Sequence, residues 1–210
     1  SLPLIKEREL LNEFITPRVS FRINPGNNMK NSSGSKRTVE TGNVFDVNRL
    51  GLRNTYEAGK SITLGINYKY DPLEIQTTEE TKDKYLQFAL ATVIRDQIEE
   101  DIPASSTINR KNSNLFGSIN NSLLDLIDIN YSFSLDNDMK TIESNKFGTE
   151  ISINNFVTTF DYIEERGEIG TTHSTSTSIL YKVDDNNSFK FKTSRNKEIN
   201  LTEYYNLSYE

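Results

Sequence analysis

From residue 61 onward the chain alternates. Ile62, Leu64, Ile66, Tyr68 and Tyr70 fall on one side of an extended backbone, and Thr63, Gly65, Asn67 and Lys69 on the other. Residues 128–135 repeat the pattern, with Ile129, Tyr131, Phe133 and Leu135 opposite Asn130, Ser132 and Ser134. Residues 85–94 do so again, with Leu86, Phe88, Leu90 and Ile94 on one side. Weaker versions occupy residues 147–153, 156–163, 177–183, 189–194 and 204–209, and noisier ones residues 18–24 and 115–121. Successive side chains of a strand point to opposite faces, so period two predicts half-buried strands. The pattern predicts about ten strands and almost no helix.

The connections carry a second pattern. Residues 122–126, 154–155 and 184–187 are short and turn-rich, and residues 71–84 fill the same place less tidily. Between them come longer segments: 25–60, 95–114, 136–144, 164–176 and 195–203. In an up-and-down meander alternate connections lie at the same end, so one end of the sheet is expected to have tight turns and the other long loops. Residues 26–41, rich in Asn, Ser and Lys, read as a mobile loop. This asymmetry, with strands near the length that crosses a bilayer and a polar second face, matches an outer-membrane β-barrel. A soluble β-sandwich or jelly roll also has alternating strands and stays open as a reading.

Composition sharpens this. Only 34% of the 210 residues are hydrophobic, yet 10% are aromatic, with eleven Phe and ten Tyr. That is lean for a conventional core and rich for a disordered chain. A barrel with one face to lipid and one to water needs no dry core, which gives the low value a cause. No apolar run approaches the length of a membrane helix. Residues 1–14 carry no charged-then-apolar leader and read as the interior of a longer polypeptide. Cysteine is absent, and 24 basic against 30 acidic residues, with no basic stripe, argue against a nucleic-acid partner.

Candidate chemistry is thin. Gly59-Lys60-Ser61 resembles the tail of a phosphate-binding loop, but Asn54 stands where that loop needs its first glycine, and a strand rather than a helix follows. The one histidine, His173, lies in a Ser/Thr-rich stretch read as an exposed loop, and no nucleophile-elbow motif occurs. The pairs Glu79-Glu80, Glu99-Glu100-Asp101 and Glu164-Glu165 have no EF-hand spacing and read as solvated loop charge. The expectation is therefore no catalytic residue, no metal and no cofactor. Lys69, Lys182, Lys190 and Lys192 fall on the polar faces, where a barrel would turn them toward anionic cargo.

Four stretches, in order, resemble the carboxy-terminal barrel domain of the lipopolysaccharide-assembly LptD (Imp/OstA) family. They are residues 15–25 (Ile-Thr-Pro-Arg-Val-Ser-Phe-Arg-Ile-Asn-Pro) with 29–31, residues 43–51 with 56–59 and 62–65, residues 105–113 with 117–118, and residues 200–210. The second is similar to an N-R-[FL]-x-G…E-x-G pattern, carried here by Asn48, Arg49, Leu50, Gly51, Glu57 and Gly59. The resemblance implies an all-β antiparallel meander forming part of a transmembrane barrel, over residues 1–210. It implies a fragment lacking the family's amino-terminal periplasmic domain and its remaining strands. It also implies export without covalent chemistry: lipopolysaccharide arrives from a periplasmic bridge protein and is inserted into the outer leaflet of the outer membrane. The implied partners are lipopolysaccharide, an LptE-like lipoprotein plug, an LptA-like bridge protein and outer-membrane lipid. A porin-like barrel and a soluble all-β binding domain are the rival readings, and an outer-membrane hydrolase is a third.

Overall fold

The structure, a computed structural model, describes residues 1–8, 11–26, 38–53, 55–72, 84–184 and 186–209. Eleven strands form one antiparallel sheet in sequential order: β1 (Leu4–Arg8), β2 (Leu11–Asn24), β3 (Gly59–Pro72), β4 (Leu86–Arg95), β5 (Leu115–Leu124), β6 (Ile127–Leu135), β7 (Ile142–Ile153), β8 (Phe156–Glu165), β9 (His173–Lys182), β10 (Ser188–Asn196) and β11 (Leu201–Tyr209). The fold is thus all-β and up-and-down, and its only helical feature among the described residues is the 3-10 turn Ala104–Ser106.

One strand more is present than the alternation predicts. In β1, Leu4 and Ile5 are adjacent and so face opposite ways, which erases the period-two signal, yet residues 4–8 pair in register with 11–15. β2 begins at Leu11, well before residue 18. Glu13 and Pro17 interrupt its apolar side and Phe14 its polar side. Tyr68 Oη donates to Glu13 Oε1 at 3.1 Å. The Pro17 carbonyl accepts from Leu2 N–H, so the missing proline N–H points away from β3 and leaves the β2–β3 ladder intact.

The expected end-to-end asymmetry holds as far as β9: Leu124 to Ile127 and Ile153 to Phe156 are joined by two residues, whereas residues 96–114, 136–141 and 166–172 are longer. It fails at β10, because the segment read as long, 195–203, is mostly strand and leaves only residues 197–200 between Asn196 and Leu201. Residues 27–37 and 73–83 lie outside the described residues, so most of the loop read as mobile, the Glu79-Glu80 pair and the untidy connection are not described. Residues 38–41 are not free loop, however: Val39 is buried.

Cross-strand register fixes the two faces, because directly opposite residues share a side. One face carries the row Ile15–Tyr68–Phe88–Ile119–Tyr131–Phe147–Tyr162 and, nearer the tight turns, Ile151–Thr158–Ile179–Phe191–Leu207. The other carries Thr16–Asn67–Ala89–Ser118–Ser132–Lys146 and Lys69–Gln87–Asn120–Asn130–Gly148–Asp161–Ser176. Lys182, Lys190 and Lys192 share that polar face, as the alternation expected.

The core lies on the unexpected side. Residues 38–58 and 96–114 fold back against the polar face, and Val39, Val44, Leu50, Ala58, Ile102 and Ile108 bury themselves with Ala91, Val93 and Phe116. Among the described residues the apolar face has no such cover: Phe21 and Ile23 are 74% and 73% exposed, and Tyr205 and Leu207 are 71% and 75% exposed. Each large apolar side chain left in water forfeits roughly 1.5–3 kcal/mol relative to burial. As a water-soluble object the sheet is inside out.

Candidate functional site: a polar wall and the loops folded on it

The centre of the loop layer is a buried ion cluster. Arg49, on the loop, is 0% exposed, and it donates from Nε to Glu57 Oε2 at 2.6 Å, from a second nitrogen to Glu57 Oε1, and from Nη1 to Thr63 Oγ1 at 2.9 Å. Arg95, at the end of β4, donates to the same Glu57 carboxylate and to the Ala58 carbonyl at 3.0 Å. Arg22, on β2, lies 3.4 Å from Glu57 and donates to the carbonyls of Asp46 and Val47 at 2.7 Å each. Burial lowers Arg49 to about 10, which leaves it charged at neutral pH. One carboxylate thus ties the loop to β2 and β4, with backbone carbonyls and the Ser61 and Thr63 hydroxyls accepting from the other guanidinium nitrogens.

The N-R-L-x-G…E-x-G residues explain their own spacing. Asn48 caps the turn from both sides, donating to the Leu52 carbonyl at 2.7 Å and accepting Leu52 N–H at 2.8 Å. Gly51 and Gly59 take positive φ, +68° and +84°, which non-glycine residues adopt at a cost. Gly65 leaves room for Phe45, since a Cβ there would stand 2.8 Å from the ring. The Arg18 guanidinium covers the same ring at 4.0 Å from its centroid. The motif is the packing code of the loop.

At the loop tip the ties are lighter. Thr41 Oγ1 donates to Ser118 Oγ at 2.8 Å, and Lys146 Nζ sits 2.6 Å from Glu40 Oε1 and 3.7 Å from Glu165 Oε1. Beneath the tip run two clefts of about 290 Å³ and about 540 Å³. Both are lined by Thr41, Gly42, Ser118 and Asn120.

The other candidates are placed plainly. Gly59-Lys60-Ser61 opens β3, and no helix follows it. His173 is not in a loop: it is the first residue of β9, half-buried, with its ring edge-on to Tyr162 at 5.7 Å. The Ser/Thr-rich stretch continues a strand, with Ser174, Ser176 and Ser178 on the polar face and the β-branched Thr175 and Thr177 on the apolar one. Glu164 and Glu165 likewise end β8, bound to Arg166 and Lys146, rather than floating in a loop. Sequence reasoning missed the Arg49–Glu57–Arg95 cluster as a cluster, since only the fold brings β4 to the loop. No protein-family model matches the chain, and a search of curated proteins finds no match.

Proposed function

We propose that this chain forms part of the wall of an outer-membrane β-barrel that passes lipopolysaccharide to the outer leaflet. The observation that carries the membrane half of this reading is the inverted sheet: the face with protein packed on it is polar, and the face without cover is apolar. Strands β4 to β11 are 9 to 12 residues long, which suits a tilted bilayer crossing. At the tight-turn end, Phe156, Tyr181, Phe189 and Tyr209 form a continuous aromatic row on the apolar face, with ring centroids 4.6 Å apart for the first pair and 5.0 Å for the last. Such rows mark where barrel strands meet the lipid headgroups. At the other end the apolar face gives way to Asn145, Glu164 and His173, where Tyr131 Oη donates to Asn145 Oδ1 at 2.7 Å.

The cargo half of the reading rests on the four ordered stretches that resemble the lipopolysaccharide-assembly family. It is supported by a polar wall able to carry a sugar-phosphate head while acyl chains follow the apolar side. In this reading a lipoprotein plug and a periplasmic bridge protein are the partners, and no bond is made or broken. Depleting the protein while monitoring an unrelated porin tests it. Surface lipopolysaccharide should fall while the porin stays assembled. Unchanged lipopolysaccharide with altered solute uptake would replace export with a porin-like role.

A further inference from the structure

Four carboxamides stand side by side on the polar face. Asn67 on β3, Gln87 on β4, Asn120 on β5 and Asn130 on β6 occupy neighbouring strands: Gln87 pairs with Asn120 and Asn120 with Asn130 in register, and Gln87 Nε2 donates to Asn67 Oδ1 at 3.1 Å. Small residues, Ala89, Ser118, Ser132 and Gly148, lie in or beside the same rows, and Lys69 and Asp161 flank the amides along the strand register. The result is a trough rather than a packed surface, roofed by Thr41 and Gly42 and opening into the two clefts.

We propose that this carboxamide ladder is a saccharide-binding site, taking a neutral, hydroxyl-rich ligand. It rests on the export reading for the source of its sugar, and deepens that reading by placing the contact. Each primary amide offers a donor pair and an acceptor a few ångströms apart, which matches neighbouring sugar hydroxyls that are themselves donors and acceptors. Two of the four, Asn67 and Gln87, hold each other's orientation through their mutual bond. Asn120 lines both clefts and Asn130 the larger one, so these two amides face the open volume.

Charge decides between sugar and phosphate. Among the described residues around the clefts stand two cations, Arg18 and Lys146, against three carboxylates, Glu40, Asp161 and the Lys146-bound Glu165. Arg18 is spent on the Phe45 ring and Lys146 on two glutamates. Lys69, at the end of the amide row, is bound to Asp71 at 2.9 Å. Among the described residues an anionic group entering here meets no uncommitted cation, whereas a neutral hydroxyl meets amides that lose little on exchanging water for it. Lys182, Lys190 and Lys192, on β9 and β10, lie outside the trough and serve as the internal control.

The test is a calorimetric titration of the protein in detergent with two probes: the oligosaccharide released from lipopolysaccharide by removing acyl chains and phosphates, and inorganic phosphate. The oligosaccharide should bind, and Asn120→Ala with Asn130→Ala should weaken it by about tenfold or more, the loss of two neutral hydrogen bonds. Asn120→Asp, nearly isosteric, should weaken it too by removing the donor pair, which keeps the test valid if the double variant misfolds. Lys190→Ala with Lys192→Ala should leave it unchanged. No binding of the oligosaccharide, equal binding by the Asn120 variants, or displacement by phosphate overturns the site. Surface lipopolysaccharide is a separate readout: if depletion leaves it unchanged while the titration succeeds, the export reading falls and the saccharide site remains.

Discussion

The two halves of the sheet solve the same problem differently. Across β2 to β6 the polar face is covered by residues 38–58 and 96–114, and nearly all the buried side chains, including Arg49, Val93 and Phe116, sit there. Within the strands β8 to β11 no described residue is buried, and the strands are held by ladder pairing, aromatic rows and surface contacts such as Ser194 Oγ to Glu203 Oε2 at 3.1 Å. The first half is fixed by tertiary packing and a buried carboxylate. The second is joined strand to strand, with no loop layer over it among the described residues. A single sheet therefore carries a rigid, roofed section and an open, bare one.

The comparison is most easily broken at Glu57. Truncating it to Ala strands the Arg49, Arg95 and Arg22 guanidinium groups in a buried layer, and should destabilise the protein by about 3–5 kcal/mol. Ser194→Ala in β10 should stay within about 0.5 kcal/mol. Thermal unfolding in detergent measures both, and equal losses would erase the distinction between the halves.

Next in size is the test of faces on β6. Arg placed at Tyr131 should cost about 2–4 kcal/mol if that position lies near the bilayer midplane, while Arg at Ser132, beside the larger cleft, should be tolerated. Folding into lipid vesicles against denaturant reads the difference, and equal tolerance contradicts the assignment. Gly65→Val comes third: the new side chain displaces Phe45 from under Arg18 and should lower stability by about 1–3 kcal/mol, with faster proteolysis of residues 38–58.

The smallest effect belongs to the bare half. In the turn after β9 the Asn186 N–H and the Asn187 amide both donate to Asp184, which holds its carboxyl below the usual range. A carboxyl with a folded pKa below its unfolded value adds stability above the unfolded pKa, near 4, and loses it as pH falls through the lower folded value. An NMR titration of Asp184 should therefore show a midpoint below that of a model aspartate, and Asn187→Ala should raise it.

How much of this was written in the sequence follows from the range of each interaction. The face of every strand from β3 to β11 is local, since alternation needs only neighbours, and Ile129, Tyr131 and Phe133 indeed oppose Asn130, Ser132 and Ser134. β1 and the start of β2 escaped because Leu4 and Ile5 are consecutive and Glu13, Phe14 and Pro17 fall on discordant sides, while their pairing supplies order that composition does not advertise. The loop core escaped for another reason. Val39, Val44, Leu50, Ile102 and Ile108 have no period, and their burial depends on contacts across the sheet. The N-R-L-x-G…E-x-G spacing was the available signal: a charged pair eight residues apart, flanked by glycines that take positive φ, is what a self-anchored loop requires. The carboxamide ladder was equally hidden, because Asn67, Gln87, Asn120 and Asn130 become neighbours only through register.

The central claim is that the uncovered apolar face meets lipid and the polar face meets water. Because the chain has no native cysteine, single cysteines can be placed at Phe191, Leu207, Lys192 and Asn206, two register pairs on opposite faces of β10 and β11, and spin-labelled in the protein reconstituted in bilayers. The account predicts that labels at Phe191 and Leu207 collide with dissolved oxygen and not with a water-soluble nickel chelate, and that labels at Lys192 and Asn206 do the reverse. Equal access to the chelate at all four positions would contradict it.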